Sequence, residues 1–251
     1  MNSTAGSSPA MRVLDLSFHA PASNLALDEV LLNSAERGIA GESLRFWESP
    51  VPFVVVGVSQ RILAEVRHEA CVRDGVPVLR RCSAGGCVLQ GPGSLNLSLV
   101  LSYDRHPSLR NIRDSYCHIL GRLREALETR GVRASLEGIS DLAVEGLKVS
   151  GNAQKRRKHF FLHHGTFLYH VDWQSMGRYL REPQERPAYR GARSHSAFVS
   201  TLPLGPHELR GAIRDAFEAH SADVEPLPIE FLEVREIASR KYSEYSWTYR
   251  R

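Results

Sequence analysis

Residues 80–87 read Arg-Arg-Cys-Ser-Ala-Gly-Gly-Cys, and after a second pair of glycines residues 95–99 read Leu-Asn-Leu-Ser-Leu. This order predicts a strand, a loop of small residues and another strand. Small residues let the backbone come close to a ligand, and the arginines that enter the loop, Arg80 and Arg81, favour an anion or a nucleotide. A tight glycine turn beside a surface arginine pair explains this segment equally well when it is taken alone.

A second segment with unusual composition surrounds Lys148. This lysine stands between Gly146 and Gly151 and has small or short polar neighbours. Such surroundings let a lysine carry its cation into a pocket. Taken alone, the same residues also fit an exposed lysine on a hairpin.

Together the two segments resemble, in order and spacing, the lipoate-protein ligase family, the acyl-transferring relatives of biotin protein ligase. The family has an Arg-Arg-x-Ser-Gly-Gly-Gly loop, a Gly-x-Leu-Asn segment, an Asn-Asp-Leu segment, a Lys-x-Ser-Gly-x-Ala-Gln signature and a His-His-Gly-Thr-Leu-Leu strand. The corresponding segments of this chain are residues 80–86, 93–96, 140–142, 148–154 and 163–168. The resemblance runs from about Leu14 to Tyr249.

The resemblance implies that Lys148 is the catalytic residue. A fixed cation can hold both a carboxylate oxygen and the α-phosphate while an acyl-adenylate forms. The resemblance also implies the residues that bind substrate or nucleotide: Arg80, Arg81, Ser83, Ala84, Gly85, Gly86, Asn96, Asp141, Ser150, Gly151, Ala153, His164, Gly165 and Thr166.

Two points about this set stay open at the level of sequence. Asp141 is a candidate ligand of Mg²⁺ or partner of the nucleotide, and it also suits a turn at the start of a strand. Side chains alternate between the faces of a strand. Therefore one member of the pair Arg80 and Arg81, and at most one of His163 and His164, is expected to face the ligand.

Hydrophobic periodicity predicts three helices: one capped by Ser23 and ending near Gly38, one over 111–130 terminated by Gly131, and one over 207–220. Strands are predicted at residues 44–47, 53–58, 78–80, 95–101, 142–144, 147–150 and 160–169. Short turns such as Glu145-Gly146 favour antiparallel hairpins, so the predicted class is α+β, a largely antiparallel sheet with packed helices. The resemblance implies a catalytic domain like those of biotin protein ligases and class II aminoacyl-tRNA synthetases. Residues 183–193 and 202–206 are predicted to be surface loops.

The composition fits one main domain, since 251 residues with 42% hydrophobic content can bury a full core without metals or disulfides. The four cysteines lack zinc-site spacing, so we expect reduced thiols and a cytoplasmic protein. Residues 1–10 have no apolar region, and no run approaches the roughly 20 apolar residues that cross a bilayer, so no membrane partner is expected. We expect residues 1–10 to be a disordered tail, and residues 11–251 to be a single catalytic domain without a C-terminal accessory domain.

The formal net charge is +4, and the basic run Lys155–His159 invites three interpretations. Nucleic-acid binding is disfavoured because no aromatic residues are interleaved with the charges. A solvated hairpin tip is favoured. The third interpretation, a basic rim that steers an acidic acyl-carrier domain, follows from the family resemblance.

Three functions from different classes remain. A lipoate-protein ligase uses ATP and Mg²⁺ to convert lipoate or octanoate to an acyl-adenylate, then passes the acyl group to a lysine of a lipoyl or acyl-carrier domain of the 2-oxoacid dehydrogenase or glycine cleavage type. Where the accessory domain of such ligases is needed, a separate protein has to supply it. An octanoyltransferase of the same superfamily starts from a thioester and uses a cysteine thiolate. A non-catalytic relative only binds a lipoylated or biotinylated partner.

Cysteine positions favour the ligase. In the transferases the nucleophilic cysteine lies shortly before the signature lysine or beyond the His-Gly strand, whereas this chain has no cysteine in 131–147 or after Cys117. Cys82 and Cys87, in the glycine loop, are the remaining candidates. Ala84 departs from the family's glycine triplet, and Gln90 and the following glycine replace the usual His-Asp pair of ligases. Residues 90–93 resemble the His-Gly-Pro-Gly of the transferases, so lipoyl, octanoyl and biotinyl groups all stay open.

Overall fold

The computed structural model describes residues 11–251, so the tail predicted for residues 1–10 lies outside the described residues. The strands of the described chain are β1 (Arg12–Asp15), β2 (Ser43–Trp47), β3 (Phe53–Val56), β4 (Val78–Arg80), β5 (Val88–Gln90), β6 (Ser94–Ser102), β7 (Ser135–Glu137), β8 (Asp141–Val144), β9 (Leu147–Arg156) and β10 (Phe160–Leu168). The α-helices are α1 (Pro21–Glu36), α2 (Ile62–Glu65), α3 (His68–Asp74), α4 (Ile112–Glu128), α5 (Trp173–Tyr179), α6 (His195–Phe198), α7 (Pro206–Phe217), α8 (Pro228–Ile237) and α9 (Tyr245–Thr248). A π-helical turn, Ala238–Tyr242, continues α8.

A seven-stranded sheet in the order β1-β2-β6-β10-β9-β8-β7 forms the centre of the molecule. All of its pairs are antiparallel except β1 with β2. Helices α4 and α7 share one hydrophobic core with the sheet, and α1 and α8 share a second core on the other side. The small sheet β4-β3-β5 carries a third core together with α5 and α6. The predicted α+β class with a largely antiparallel sheet is therefore confirmed.

Helix α4 forms where the sequence predicts it. The Asn111 side chain accepts hydrogen bonds from the backbone N–H groups of Arg113 and Asp114, which caps the helix and stabilises it by about 1 kcal/mol. Its apolar face, which includes Ile119 and Leu123, is buried against the sheet. Gly131 follows with a φ of 78°, the left-handed conformation that suits the chain reversal after a helix.

Helix α1 corrects one prediction. The helix begins at Pro21 with Ala20 at the N-cap position, so Ser23 lies inside the first turn and caps nothing. Proline suits this first position because its missing N–H would have no partner there. The helix is buried on nearly every side between the large sheet and α8, and its end at Glu36, shortly before Gly38, is as predicted.

The predicted strands are all present, residues 78–80 with the predicted bounds and the others with shifted ends. Residues 147–150 are the start of a strand that continues to Arg156. Arg157–His159 form an exposed turn between β9 and β10, which confirms the predicted hairpin tip. The tip lies at the far end of the hairpin from Lys148, roughly 20–30 Å away at strand spacing. The interpretation of the run as a basic rim that steers a carrier domain stays a prediction.

Among residues 11–251, no helix combines the length and apolar character that crossing a membrane requires.

Candidate functional site

A cavity of about 510 Å³ lies between the large sheet and the small sheet. This volume falls within the range of about 300–1,000 Å³ that is typical of small-molecule sites. Its lining includes apolar side chains from both sheets, from α1 and from the segment after β10: Leu25, Trp47, Val55, Val88, Leu89, Leu97, Leu168, Met176, Leu180, Phe198 and Val199. The lining also carries polar groups from β8, β9, β10 and the glycine loop.

The structure brings most of the predicted site residues into this cavity. Those that line it are Arg81, Gly85, Gly86, Asn96, Asp141, Lys148, Gly151, Ala153, His164, Gly165 and Thr166. Four others, Arg80, Ser83, Ala84 and Ser150, are not part of the lining.

A β-bulge aims Lys148 into the cavity. The pairing of β8 with β9 changes register between Leu142, which faces Ser150, and Ala143, which faces Lys148. Val149 is therefore an extra residue on β9, and such an insertion reverses the alternation of side chains. Lys148 consequently shares the cavity face with Gly151. Ser150 is not part of the lining, and its Oγ accepts a hydrogen bond from Asn152 Nδ2 at 3.3 Å.

Glycine at position 151 makes room for the lysine. A Cβ atom there would lie 2.7 Å from Lys148 Nζ, closer than carbon and nitrogen can approach without a shift. Lys148 Nζ ends 2.8 Å from Asp141 Oδ1, and the Tyr189 hydroxyl donates to Asp141 Oδ2 at 2.8 Å. Burial and the charge of Asp141 raise the pKa of Tyr189, so its hydroxyl stays protonated as the donor.

Asp141 does not form a magnesium site with other side chains. Among residues 11–251, no cluster of three or more His, Cys, Asp or Glu side chains is placed to bind a metal. Mg²⁺ commonly binds through one or two carboxylates together with substrate phosphates. The residues present therefore fit Mg²⁺ only if a nucleotide supplies most of its ligands, with Asp141 as the protein's contribution.

Arg81 is another cation of the cavity lining. Its guanidinium is held by the glycine loop itself, since Nε donates to Ser83 Oγ at 3.0 Å and Nη2 donates to the Ala84 carbonyl at 2.6 Å. Burial is the main cause that lowers the pKa of Arg81, and within residues 11–251 no carboxylate lies within 4.0 Å of it. A buried cation without a carboxylate partner favours an anionic ligand.

Gly85 passes directly over this guanidinium. Its φ is 92°, and a Cβ atom would lie 2.9 Å from Arg81 Nη2. Gly86 differs, because nothing lies within 4 Å of the position of its Cβ atom. Only the first glycine of the pair is thus required by the conformation of the loop.

Arg80 points away from the cavity, as strand alternation requires when Arg81 faces it. Its guanidinium is fully buried and donates to the carbonyls of Gly57, Gln60 and Thr248. The Trp247 indole N–H in turn donates to the Arg80 carbonyl at 2.8 Å. These contacts separate Arg80 from the other predicted site residues and give it a structural environment.

The side chains of the two histidines of β10 also point to opposite faces of the sheet. His163 is buried, contacts Tyr116 of α4 edge-on, and bonds the side chains of Asn152 and Gln154. Burial lowers the pKa of His163 to about 3, so it is neutral at pH 7. His164 lines the cavity, and its Nε2 and Nδ1 lie 2.5 Å from Ser83 Oγ and 3.2 Å from Asp28 Oδ2.

A cluster of uncharged polar side chains forms part of the cavity lining. Gln90 Nε2 donates to Asn96 Oδ1 and to Thr166 Oγ1, both at 2.8 Å, and Asn96 Nδ2 donates back to Gln90 Oε1 at 3.0 Å. Gln90 stands where the ligase pattern has its His-Asp pair. The cavity therefore offers amide and hydroxyl groups here instead of a carboxylate.

Both cysteines of the glycine loop are protonated thiols. Burial is the main cause that raises the pKa of Cys82 to about 11 and that of Cys87 to about 12. Cys87 lines the cavity, whereas Cys82 is part of the core beneath α1. Neither thiol is activated as a thiolate in this environment.

Sequence reasoning missed several cavity residues. Asp28 comes from α1, where it looks like an ordinary helical carboxylate, and only its contact with His164, 136 positions away, places it at the site. Residues of the segment predicted as a surface loop, 183–193, also line the cavity, including Pro187 and Arg190. Glu65 and Glu185 lie in the lining as well, and burial followed by the charge of Glu185 raises the pKa of Glu65.

Comparison with curated proteins gives relatives with two activities. The chain is 26% identical to an octanoyltransferase LipM of Halalkalibacterium halodurans, over 96% of this chain and 99% of that protein. It is 34% identical to a putative lipoate-protein ligase A of Aeropyrum pernix, over 84% of this chain and 74% of the relative.

Solved structures show the same fold. A bipartite lipoate protein ligase from Thermoplasma acidophilum, studied with its E2 lipoyl domain, superimposes with a TM-score of 0.83 at 24% identity, covering 96% of both chains. A lipoate-protein ligase A bound with ATP superimposes with a TM-score of 0.82 at 23% identity, covering 96% of this chain and 98% of the other. The family model of the lipoyl protein ligase A/B catalytic domain matches residues 20–209, and the chain therefore belongs to the lipoyl protein ligase A/B family.

Proposed function

We propose that this protein is an ATP-dependent acyl-protein ligase that activates lipoate or octanoate as an acyl-adenylate and transfers the acyl group to a lysine of a lipoyl carrier domain. The observation that carries the proposal is the cavity itself, whose lining combines Lys148 and Arg81 with many apolar side chains. An apolar chain with an anionic head group matches that arrangement. Arg81 is buried and has no carboxylate partner within the described residues, so its guanidinium favours an anionic ligand.

In the proposed first step, a carboxylate oxygen of the acyl substrate attacks the α-phosphorus of ATP and pyrophosphate leaves. Lys148 Nζ holds the reacting oxygens, and Arg81 with the backbone of the glycine loop holds phosphate oxygens, so charge is neutralised where it accumulates. Mg²⁺, bound mainly by the phosphates and by Asp141, would supply additional positive charge.

In the proposed second step, the ε-amine of the carrier lysine attacks the acyl carbonyl, an amide bond forms and AMP leaves. A lipoyl domain is the proposed partner, since the T. acidophilum ligase was studied with its E2 lipoyl domain. We place these reactions in the cytoplasm and assign the chain no nucleic-acid or membrane partner.

The second candidate is an octanoyltransferase that starts from an acyl thioester. It is favoured by the likeness to LipM over nearly the whole length of both proteins. It requires a thiolate, and Cys87 is the thiol in the cavity lining of residues 11–251. Its raised pKa, about 12, leaves a very small thiolate fraction at pH 7, which opposes this candidate.

One comparison of two reactions tests the proposal. The same lipoyl domain is given either lipoate, ATP and Mg²⁺, or an octanoyl thioester without ATP, and mass spectrometry follows both the carrier and the acyl-adenylate. We expect the carrier to gain mass with ATP only, and a variant with all four cysteines changed to serine to keep that activity.

The opposite pattern overturns the ligase proposal. If the thioester reaction proceeds, is lost in the cysteine-free variant and the ATP reaction never occurs, the protein is a transferase with Cys87 as the leading nucleophile. If neither reaction modifies the carrier although the carrier binds, the protein is a non-catalytic relative. A parallel reaction with biotin and ATP tests the choice of acyl group.

A further inference from the structure

A continuous chain of hydrogen bonds crosses the molecule from α1 to the glycine loop. Arg45 Nη1 donates to Asp28 Oδ1 at 2.6 Å, and the other oxygen of Asp28 lies 3.2 Å from His164 Nδ1. His164 Nε2 lies 2.5 Å from Ser83 Oγ. Arg81 Nε completes the chain by donating to the same Ser83 oxygen at 3.0 Å.

The side chains at both ends of this chain of hydrogen bonds are held by further contacts. Arg45 is fully buried and is also held by the Leu16 carbonyl and by Asn24. Burial alone would raise the pKa of Asp28, but the hydrogen bond from His164 and the charge of Arg45 together lower it, so Asp28 is an ionised acceptor. At the other end, Arg81 is held against the Ala84 carbonyl.

The donors and acceptors in this chain of hydrogen bonds are all oriented in one direction. An ionised Asp28 accepts and never donates, so the proton between it and His164 sits on Nδ1. In a neutral His164 ring the lone pair is then at Nε2 and accepts the Ser83 hydroxyl proton. The freed lone pairs of Ser83 Oγ face Arg81 Nε. With the opposite tautomer, the Nδ1 lone pair would face a carboxylate oxygen and the Ser83 proton would have no acceptor in the chain.

The order Asp, His, Ser is that of a hydrolase triad, but the geometry excludes a nucleophilic serine. Ser83 is 1% exposed and is not part of the cavity lining. Its oxygen also accepts a hydrogen bond from a guanidinium, which lowers its nucleophilicity. The hydroxyl therefore connects two groups and does not attack a substrate.

We propose that Asp28 and His164 are positioning residues, which fix Ser83 as an acceptor for Arg81 and thereby hold the glycine loop and the Arg81 cation in the orientation that binds an anion. His164 is required in its Nδ1–H tautomer. Gly85 lies over the guanidinium, so a displacement of Arg81 also displaces the backbone that contacts the ligand. The role in catalysis rests on the proposed function, whereas the role in holding the loop does not.

The tautomer is tested first, in the unmodified protein. A nitrogen-15 correlation spectrum of the histidine rings is expected to show His164 with a protonated Nδ1 and an unprotonated Nε2. An Nε2–H tautomer at neutral pH overturns the proposal, and this result does not depend on any activity.

Variants test the loop. Ser83→Ala and His164→Ala are expected to increase hydrogen exchange about tenfold at the Val58 amide, which donates to the Ser83 carbonyl at 2.8 Å and so reports on the loop. A tenfold rise is the effect of one lost hydrogen bond. His164→Gln keeps an acceptor near the position of Nε2 and is expected to recover most of the protection. His163→Gln is the matched control, since it changes a buried, hydrogen-bonded histidine on the opposite face of the same strand. We expect it to lower thermal stability and to leave exchange of the loop unchanged.

Kinetics separate positioning from general stability. If lipoate-dependent exchange of pyrophosphate into ATP occurs, Ser83→Ala is expected to lower its kcat at least tenfold and to change the KM for lipoate less than threefold. Equal loop exchange in Ser83→Ala and the parent protein, or a covalent acyl group on Ser83 after incubation with octanoyl thioester, overturns the proposal. If the parent shows no ATP reaction, the proposed function fails, and the tautomer and exchange data still decide the positioning role.

Discussion

At the scale of single residues, Lys148 is both accessible and dispensable for the core. Its side chain is 29% exposed and spans Gly151, so Lys148→Ala removes a charge from the cavity and leaves the packing intact. We expect acyl-adenylate formation to fall by a factor of at least about 100, equivalent to about 3 kcal/mol of transition-state stabilisation. Mass spectrometry of the adenylate measures the effect.

Lys241 offers a matched control. It is 26% exposed and is also paired with a carboxylate, Glu29, at 2.6 Å, but it lies outside the cavity lining. Lys241→Ala is expected to lower stability and to retain adenylate formation. Turnover near that of the parent in Lys148→Ala would remove Lys148 from the mechanism.

The thiol of Cys87 gives a prediction about pH. A pKa raised to about 12 keeps the sulfur protonated and slow to react at pH 7, and its reactivity should rise only in strongly alkaline solution. Alkylation with iodoacetamide, followed by peptide mass spectrometry, compares it with the exposed Cys117. We expect Cys87 to be the slower of the two at pH 7. Faster modification of Cys87 would reveal an activated thiolate and favour the transferase.

His163 makes stability depend on pH in one direction. Its pKa is about 3 in the folded protein and about 6.5 when unfolded, so only the unfolded chain takes up the proton between these values. The contribution of neutral His163 to the free energy of unfolding is present above pH 6.5. It is lost as the pH falls, by about 1.4 kcal/mol per pH unit. From pH 6.5 to pH 5 the parent should lose about 2 kcal/mol more than His163→Gln in urea unfolding. If the free energies of unfolding of the two proteins changed equally with pH, the lowered pKa of His163 would be refuted.

At the scale of elements, the glycine loop contains two glycines with different constraints. Gly85→Ala forces a side chain into the left-handed region and against Arg81, whereas Gly86→Ala meets open space. We expect the first variant to weaken binding of a non-hydrolysable acyl-adenylate analogue at least tenfold and the second to change it less than threefold. Calorimetry measures both. Equal losses would show that both glycines serve ligand access and not loop conformation.

The elements that the sequence predicted share a local cause. Helix α4 has a capping asparagine, a periodic apolar face and a terminating glycine, so its bounds are specified within its own residues. Helices α2 and α6 have four residues each, and β7 has three, too few to carry a period. These elements form because the surrounding cores supply their contacts, which a local pattern does not contain.

For the candidate site, too, the sequence predicted the features that have a local cause and missed those that depend on tertiary packing. Strand alternation correctly required that Arg80 and Arg81 separate, and likewise His163 and His164, but it could not say which of each pair faces the cavity. That choice depends on the cores on either side of each strand. The partnership of Asp28 with His164 could not be predicted, since it arises only when α1 is seated on the sheet.

At the scale of the whole molecule, helix α9 holds the strand that leads into the glycine loop. Arg80 lies at the end of β4, one residue before Arg81, and its guanidinium donates to carbonyls that include that of Thr248 in α9. We expect Arg80→Ala to lower the free energy of unfolding by at least about 3 kcal/mol, because several buried carbonyls lose their donor. Arg81→Ala should instead keep the fold and lose ligand affinity. Denaturation and calorimetry of both variants check this contrast, and normal stability in Arg80→Ala would contradict it.

The bulge at Val149 has a consequence for the tolerance of this hairpin to change. If β9 paired without the bulge and kept Val149, Lys148 and Gly151 would lie on opposite faces of the strand. Deleting Val149 would instead leave the lysine two positions from Gly151, and regular alternation would then keep both on the cavity face. Such a deletion would remove a side chain that is buried in the core shared with α4. The orientation of the lysine therefore depends on strand register, and deletion of Val149 is expected to lower stability without turning the lysine.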